Sequence, residues 1–407
     1  IVSNEKGLVR IAIERDEHPR TSVSRTKLGR ARMEAAVREL AASLPDSEHK
    51  PALLDRIEAA AARAETLSDW FGALMADLFA EDGLILMDAD DPAIRTLEAP
   101  MFRRMIAENE RLASAYAAAE EKLRGLGYAV QAEVHADGAN LFLFRDARFG
   151  GIAPGAPAGE RVMLFRDGGS FADKRRTFTL TRGELERLAQ EAPELFSNNV
   201  LTRPLMQDYV LPVLATVLGP GEIAYWAQVG EAFRAFGMEM PVIVPRMSFT
   251  VTDEAIRKRM EMFGLTLEDV GSRLEERKRD WLARHDSLPV ERLFADTVRR
   301  FEALYDPLLK ELAAADAALW PLGQKNREKI LEQIRWLEQK AFESRNRRYE
   351  ADVRRFDRIG DWLAPGGRPQ ERVLNMAAMW NAWGARWLEA LRAVPFHPLG
   401  GHFRIDL

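Results

Sequence analysis

The segment from residue 253 to residue 363 restricts the fold more than any other part of the chain. It is dominated by Glu, Lys, Arg, Leu and Ala, and its larger apolar residues recur in alternating steps of three and four. This heptad spacing is typical of helices that pack along a narrow apolar stripe. Two stripes follow one another, formed by Leu304, Tyr305, Leu308, Leu312 and Leu319 and then by Ile330, Ile334, Leu337, Ala341, Tyr349, Phe356 and Leu363.

The residues between the two stripes indicate how the helices are connected. Trp320-Pro321-Leu322-Gly323 is expected to turn the chain and to produce an antiparallel helical hairpin. At 1.5 Å per residue, a second helix from Gln324 onward is about 50–60 Å long. We therefore predict a coiled-coil arm over residues 253–363, and the simplest use of such an arm is dimerisation or rigid spacing.

The stretch before the arm, Phe196–Thr250, predicts an α/β core. Residues 200–202 have the composition of an extended segment, and Arg203 is expected to end it, because the residue before a proline is disfavoured in helix. A second apolar run, residues 240–245, places Arg246 at another strand end. Open α/β sheets bind ligands at the carboxyl ends of their strands, so this stretch is the predicted location of a site.

Shorter patterns complete the predicted core. Leu8–Ile13 alternates like a half-buried strand, and Gly83–Met87 is a short apolar run typical of a buried parallel strand. Residues 128–134 and 140–145 are expected to form a hairpin, and Gly219-Pro220-Gly221 precedes a predicted helix over 222–235.

These patterns divide the chain into four parts. Residues 1–13 and 81–252 form the core, 14–80 a helical insertion, and 253–363 the arm, while 364–407 form a C-terminal helix and strand that pack back on the core. The first residue is Ile rather than Met, so we expect the chain to start inside a larger protein.

Composition excludes several functional classes. The chain has no cysteine, which excludes disulfides, thiolate metal sites and cysteine nucleophiles and is compatible with a reducing, cytoplasmic location. The formal net charge of −5 gives no basic footprint for nucleic acid. No apolar run approaches the roughly 18–20 residues of a membrane helix.

The sequence also lacks the common motifs of metal and nucleophile chemistry. Its histidines are scattered, with neither an HExxH motif nor a compact zinc-ligand spacing. There is no G-x-S-x-G elbow, and the Gly/Pro-rich residues 149–159 do not have the glycine spacing of a phosphate-binding loop. We therefore predict no metal site and find no support for a serine nucleophile.

The polar residues of Phe196–Thr250 are the candidate site. The planar fork of Arg203 suits bidentate binding of a carboxylate or phosphate. The candidates are Asn199, Arg203, Gln207, Asp208, Glu222, Gln228, Arg246 and Ser248. Structural alternatives remain open: an ion pair between Arg203 and Asp208, a helix N-terminal charge at Glu222, and a helix cap at Arg246.

At these residues the chain resembles the bacillithiol biosynthesis cysteine-adding enzymes, also called cysteine ligases or bacillithiol synthases. The family patterns are F-S-P-N-V-L-x-R-P-x-x-Q-D, G-P-x-E-I-A-Y-x-A-Q and P-V-x-x-P-R, which this chain follows with Asn198 in place of the proline. Pro369-Gln370-Glu371-Arg372 with Asn375 also matches. The resemblance runs essentially from Ile1 to Leu407.

The resemblance implies a fold similar to class I aminoacyl-tRNA synthetases: a Rossmann-like core with helical insertions and a long coiled-coil arm. It implies an enzyme that joins the carboxyl group of cysteine to the amine of glucosaminyl-malate and so completes bacillithiol, a low-molecular-weight thiol. Amide formation from a free carboxylate needs activation, so a nucleotide triphosphate such as ATP is the expected co-substrate. A cytoplasmic homodimer is expected.

Roles for the candidate residues also follow from the resemblance. Asp208 or Glu222 is expected to bind a substrate amine or to act as a catalytic base. The other candidates bind substrate: Arg203 and Arg246 hold carboxylates, Asn199, Gln207 and Gln228 orient sugar hydroxyls, and Ser248 completes the set. The family's Gly-Gln-Gln and Glu-Asp-His-Asp motifs are expected to precede Ile1.

Two other functions are compatible with the patterns alone. The first is a non-catalytic scaffold that dimerises through its coiled coil. The second is a tRNA-binding, synthetase-like protein, which the net acidity of the chain disfavours.

Overall fold

The computed structural model describes residues 1–4, 7–13, 22–149, 159–285 and 289–407. The strands are β1 (Val2–Asn4), β2 (Gly7–Val9), β3 (Gly138–Phe144), β4 (Arg161–Asp167), β5 (Ser170–Asp173), β6 (Thr179–Thr181), β7 (Phe196–Asn198), β8 (Ala215–Leu218), β9 (Val242–Pro245), β10 (Met247–Thr252) and β11 (Gly401–Asp406). The helices are α1 (Arg30–Ser43), α2 (Lys50–Ala61), α3 (Leu67–Phe79), α4 (Pro92–Ala107), α5 (Asn109–Gly125), α6 (Arg182–Glu191), α7 (Thr202–Val210), α8 (Pro220–Trp226), α9 (Gly230–Ala235), α10 (Glu254–Phe263), α11 (Leu267–Ser272), α12 (Leu274–His285), α13 (Val290–Ala315), α14 (Leu319–Arg348), α15 (Glu350–Leu363), α16 (Met376–Trp383) and α17 (Arg386–Arg392). Most of the Gly/Pro-rich run 149–159 lies outside the described residues.

A five-stranded antiparallel sheet, in the order β6-β5-β4-β3-β7, is the centre of the first hydrophobic core. Strand β3 is buried along almost its whole length, and α4, α5 and α6 contact the same sheet and core. Phe102 of α4 packs against Phe196 of β7 with ring centroids 5.4 Å apart. Tyr116 of α5 donates to the carbonyl of Leu201, so this core also fixes the approach to α7.

A separate parallel pair, β8 and β9, runs from Ala215↔Val242 to Leu218↔Pro245. Val217 and Val242 are 58% and 62% exposed on it. The predicted buried strand Gly83–Met87 is wrong: residues 84–87 form no regular secondary structure, and Ile85 is 89% exposed. A short apolar run in a sequence does not indicate whether a neighbouring strand covers it.

The predicted hairpin of residues 128–134 and 140–145 is also wrong. Strand β3 pairs with β4 and β7, and residues 128–134 form no strand. The side-chain amide of Gln228 explains part of this difference. It bonds both the N–H and the carbonyl of Ala132, at 2.9 Å each, in place of a strand partner.

A second core joins α1, α2 and α3 to the C-terminal segment. Their apolar faces pack with β1, α16, α17, β10 and β11. Trp70 donates to the carbonyl of Ile57 between α3 and α2, and Asn381 of α16 donates to the carbonyl of Pro45. The residues predicted as an insertion and the last 44 residues therefore contribute to one core.

The predicted antiparallel helical hairpin is confirmed in α13 and α14. Arg327 binds Glu302 and Asp306 near the tip, and Arg345 binds Glu291 at 2.9 Å near the base. With 30 residues, α14 is about 45 Å long. The turn lies before α14, at residues 316–318, so the prediction that Trp320–Gly323 turns the chain is wrong. Proline is tolerated in the first turn of a helix, where N–H groups have no acceptor within the helix.

The inner seam of the arm differs from the predicted first stripe. Leu309 and Leu331 are the buried leucines between the two helices, whereas Leu304 is 76% exposed. Leu304, Leu308 and Leu312 are spaced four residues apart and exposed, so they form an outward apolar stripe on α13.

Strand β10 is occupied on both edges. One edge pairs with β11 in parallel. On the other, the N–H of Val251 donates to Oε1 of Gln370 at 2.8 Å, and Nε2 of Gln370 donates back to the Val251 carbonyl at 3.0 Å. The N–H of Phe249 donates to Glu371 on the same edge. Two side chains thus stand where a neighbouring strand would pair.

Candidate active site

Asn199 determines how the chain passes from β7 into α7. Its Oδ1 accepts from the N–H groups of Leu201 and Thr202 at 2.9 and 2.8 Å, and its Nδ2 donates to Oδ1 of Asn140 at 3.0 Å. This side chain satisfies helix N-terminal donors, as an N-terminal capping residue does. The geometry therefore gives Asn199 a role in positioning the start of α7.

Arg203 lies in the first turn of α7 and not at a strand end. The prediction of an extended segment over 200–202 was wrong, because a proline at residue 204 is compatible with the first turn of a helix. The Arg203 guanidinium donates from Nη1 to Oε1 of Gln207 and from Nη2 to the hydroxyl of Tyr225, both at 2.9 Å. All three side chains are half-buried.

Asp208 follows Gln207 but is not the partner of Arg203. The hydrogen bonds of Arg203 go to neutral groups, so the ion-pair alternative is not observed. Burial raises the pKa of the Asp208 carboxyl, and a hydrogen bond from the Val213 backbone offsets this in part. A carboxyl with a raised pKa accepts protons more readily than an ordinary aspartate, as a catalytic base requires.

Glu222 and Arg246 meet around Gly219. Oε2 of Glu222 accepts from the Gly219 N–H at 2.9 Å, which is the helix N-terminal contact left open as an alternative. A Cβ on Gly219 would lie 3.1 Å from Nη2 of Arg372 and 3.6 Å from Nη2 of Arg246. Arg246 also donates to Glu371 at 3.2 Å. The absence of a side chain at Gly219 therefore leaves space for two guanidinium groups.

Helix α8 joins these two groups of residues. Glu222 and Tyr225 are three residues apart on α8, and residues at this spacing share one face of a helix. The Gly219 corner and the Arg203 cluster are therefore about one helical turn apart.

The side chains of Gln228 and Ser248 make their hydrogen bonds outside both groups. Gln228 is fully buried and binds the backbone of Ala132 through both ends of its amide. Oγ of Ser248 is 2.8 Å from Nδ1 of His402, while Oγ1 of Thr250 is 2.9 Å from Nε2 of the same ring. The structure therefore brings together Arg203 and Gln207, and separately Glu222 and Arg246, but not the whole predicted set.

Sequence reasoning missed Tyr225 and Arg372 as members of these groups. Both stand within the segments that carry the family resemblance, so that resemblance was the available signal. Their contacts cross between distant segments: Tyr225 to Arg203 across 22 residues, and Arg372 to Gly219 from beyond the arm.

A large groove lies elsewhere, at the root of the arm. It has a volume of about 1220 Å³ and is lined by residues of α10, α11, α12 and α15, including Arg259, Arg279, Arg355 and Asp361. None of the predicted site residues lines it. Across the described ranges, no cluster of three or more His, Asp or Glu side chains is placed to hold a metal ion. No described helix is long and apolar enough to span a bilayer.

The fold defines a two-part class of protein: an N-terminal part of mixed helix and sheet followed by a C-terminal part dominated by long helices. Two family models match this division, "Bacillithiol biosynthesis BshC, N-terminal Rossmann-like domain" over residues 1–247 and "Bacillithiol biosynthesis BshC, C-terminal coiled-coil domain" over residues 249–407. The chain belongs to the BshC family of bacillithiol biosynthesis proteins.

Individual relatives are similar over most of the chain and are named "Putative cysteine ligase BshC". The protein of Geobacillus thermodenitrificans is 39% identical over 84% of this chain and 61% of its own length. That of Geobacillus kaustophilus is 39% identical over 81% and 59%, and that of Bacillus velezensis is 31% identical over 97% and 71%. The chain thus spans roughly 60–70% of the length of these relatives.

Proposed function

We propose that this chain is part of a cysteine ligase that forms an amide between the carboxyl group of cysteine and the amine of glucosaminyl-malate, the last step of bacillithiol biosynthesis. Membership of the BshC family over both domains carries this proposal. Two relatives that are 39% identical to this chain bear the ligase name. The proposed enzyme acts in the cytoplasm on small-molecule substrates.

The candidate residues supply the binding and proton-transfer parts of this reaction. The amine must be neutral to attack an activated carboxyl group, so a base has to take up its proton. Asp208 is the proposed base, because its raised pKa favours protonation. Glu222 is the second proposed catalytic carboxylate. Arg203 and Arg246 are the proposed carboxylate ligands.

The polar amides and Ser248 have proposed roles of a different kind. Gln207 is bound to Arg203 and is proposed to contact substrate beside it. Asn199 and Gln228 are engaged with the protein itself, so any effect on substrate is transmitted through the segments that they fix. Ser248 contacts His402, which is its only described side-chain partner.

Carboxyl activation in this proposal uses ATP. Arg246 and Arg372 beside Gly219 carry the positive charge that a phosphate chain would need. The match is partial, because Glu222 and Glu371 stand at the same corner. Bound ATP would activate the carboxyl group of cysteine, and the residues of this chain would orient the substrates around it.

Deletion of the gene tests the function directly. Bacillithiol, measured by mass spectrometry as a labelled thiol adduct, should disappear from the deletion strain and return when the full-length protein is supplied. Unchanged bacillithiol would rule out the ligase and favour the coiled-coil scaffold. Complementation with Arg203→Ala and Asp208→Ala variants tests the site, and growth with normal bacillithiol in both would show that the assignment is wrong.

The outward stripe of the arm supports a homodimer. Leu304, Leu308 and Leu312 present apolar surface at helical spacing on α13, as partners in a coiled coil do. A Leu304→Glu, Leu308→Glu variant should be monomeric by light scattering if the arms pair, with Lys310→Glu as the control on the same helix. A gel shift with bulk tRNA tests the remaining synthetase-like alternative.

A further inference from the structure

The hydrogen bonds around Arg203 leave its charge uncompensated. Both observed acceptors are neutral, the amide oxygen of Gln207 and the hydroxyl oxygen of Tyr225. Within the described ranges, no carboxylate pairs with this guanidinium. A half-buried cation with only neutral partners attracts an anion more strongly than an exposed one, because solvent screens it less.

Beyond these two hydrogen bonds, the N–H and O–H groups of Arg203, Gln207 and Tyr225 are all available as donors. The Tyr225 oxygen accepts from Arg203, so its own O–H is left to point to another acceptor. The Gln207 carbonyl oxygen also accepts from Arg203, which leaves the two N–H groups of that amide. Arg203 uses two of its five N–H groups in these contacts. In the described structure, no acceptor is observed for these remaining hydrogens.

The surrounding structure holds the three side chains in place. Arg203 and Gln207 are one turn apart on α7, whose start is fixed by Asn199. Tyr225 packs its ring against the first hydrophobic core. The donors are therefore presented without the need to order a loop, which lowers the entropic cost of binding.

We propose that Arg203, Gln207 and Tyr225 form a site for one carboxylate group, in which the Tyr225 hydroxyl is a direct ligand. This assignment rests on the proposed function. The occupant is a carboxylate of the malate group of the proposed substrate. A single guanidinium offers a planar fork and one positive charge, which match the two oxygens and one negative charge of a carboxylate. A phosphate dianion would leave one charge unbalanced.

Calorimetric titration of the 407-residue chain with L-malate tests the site. We expect the wild-type chain to bind malate and the Tyr225→Phe variant to bind it about 10- to 100-fold more weakly, the loss expected for one hydrogen bond to a charged group. Tyr209→Phe is the matched control, since Tyr209 lies on α7 and is exposed; it should bind as the wild type does. Circular dichroism verifies that each variant is folded.

The outcomes separate this inference from the proposed function. Equal malate binding by Tyr225→Phe and wild type, or no malate binding by the wild type, overturns the site. Tyr225-dependent binding of inorganic phosphate in preference to malate also overturns it. Tyr225-dependent malate binding together with unchanged bacillithiol in the deletion strain preserves the site and refutes the ligase.

A kinetic measurement on the full-length protein distinguishes a ligand from a purely structural tyrosine. Tyr225→Phe should raise the KM for the malate-bearing substrate about 10- to 100-fold and leave kcat largely unchanged, because the lost bond is made in ground state and transition state alike. The same variant should leave the KM for cysteine unchanged. Equal rises in both KM values, or a fall confined to kcat, contradicts direct contact with the malate carboxylate.

Discussion

Arg203 and Arg246 were predicted from the same kind of sequence signal, yet they lie in different electrostatic surroundings. Arg203 donates to an amide and a phenol and keeps its net charge. Arg246 already donates to the carboxylate of Glu371, which also holds the backbone of Phe249. The comparison teaches that an arginine at the right place is available for an anion only where the protein has not already supplied one.

The largest expected effect is on Arg203. In the full-length protein, Arg203→Ala should lower kcat/KM for the malate-bearing substrate at least 10- to 100-fold, because a charge-assisted contact is lost. Arg246→Ala should lower it less, since Glu371 already compensates that charge. Steady-state kinetics with both variants measures the difference.

Arg234→Ala is the control for this pair, because Arg234 is exposed and bound to Glu231 on the surface. Its kinetics should match those of the wild type. A larger loss for Arg246→Ala than for Arg203→Ala would reverse the comparison.

Glu371→Ala should act on stability. It removes the acceptor of the Phe249 N–H and the partner of Arg246, so we expect the free energy of unfolding to fall by about 1–2 kcal/mol. Urea denaturation measures this change. Glu276→Ala, at the exposed surface of α12, is the control and should change stability by less than about 0.5 kcal/mol. An unchanged urea midpoint for Glu371→Ala would mean that Glu371 does not stabilise Arg246, and that the charge of Arg246 is as uncompensated as that of Arg203.

Gly219→Ala should have a small effect on the free energy of unfolding. Its main effect should be on the positions of the side chains around Gly219. The glycine has φ −76°, which any residue adopts, and the nearest atom to a new Cβ is the mobile end of Arg372. We expect a stability change within about 0.5 kcal/mol, with the Arg372 guanidinium displaced. A crystal structure of the variant would show the displacement, and an unmoved Arg372 would contradict the close approach.

The smallest expected effect is the pH dependence that Asp208 contributes. Burial raises its pKa in the folded state, so the folded protein binds this proton more tightly than the unfolded chain does. The contribution to stability is therefore greatest below the ordinary aspartate pKa and is lost as pH rises through the raised value. Asp208→Asn should flatten this slope as pH rises above the ordinary aspartate pKa of about 4, measured by urea denaturation at each pH. An identical slope in wild type and variant would show that Asp208 is not buried.

Local signals in the sequence located much of the fold. The heptad spacing predicted the antiparallel arm, which the structure confirms in α13 and α14. A strand was correctly expected within residues 364–407, and β11 is that strand. In each case, the determining interactions lie within a few residues or along one helix face.

The errors share one physical cause, which is dependence on a distant partner. The exposure of residues 84–87 depends on which strand lies beside them, and the backbone of Ala132 is bound by a side chain 96 residues away. Arg203 was placed at a strand end because the rule for a residue before proline competes with the tolerance of proline in a first helical turn. The site residues were predicted as one region, but their grouping in the structure depends on contacts of this long-range kind.

Gln370, which covers the edge of β10 that does not pair with β11, has a consequence for the behaviour of the protein in concentrated solution. An uncovered strand edge offers its N–H and carbonyl groups to strands of other molecules, which is a common start of aggregation. Gln370 closes that edge with one donor and one acceptor, and it is almost completely buried in doing so. Gln370 therefore prevents strands of neighbouring molecules from pairing with this edge of β10.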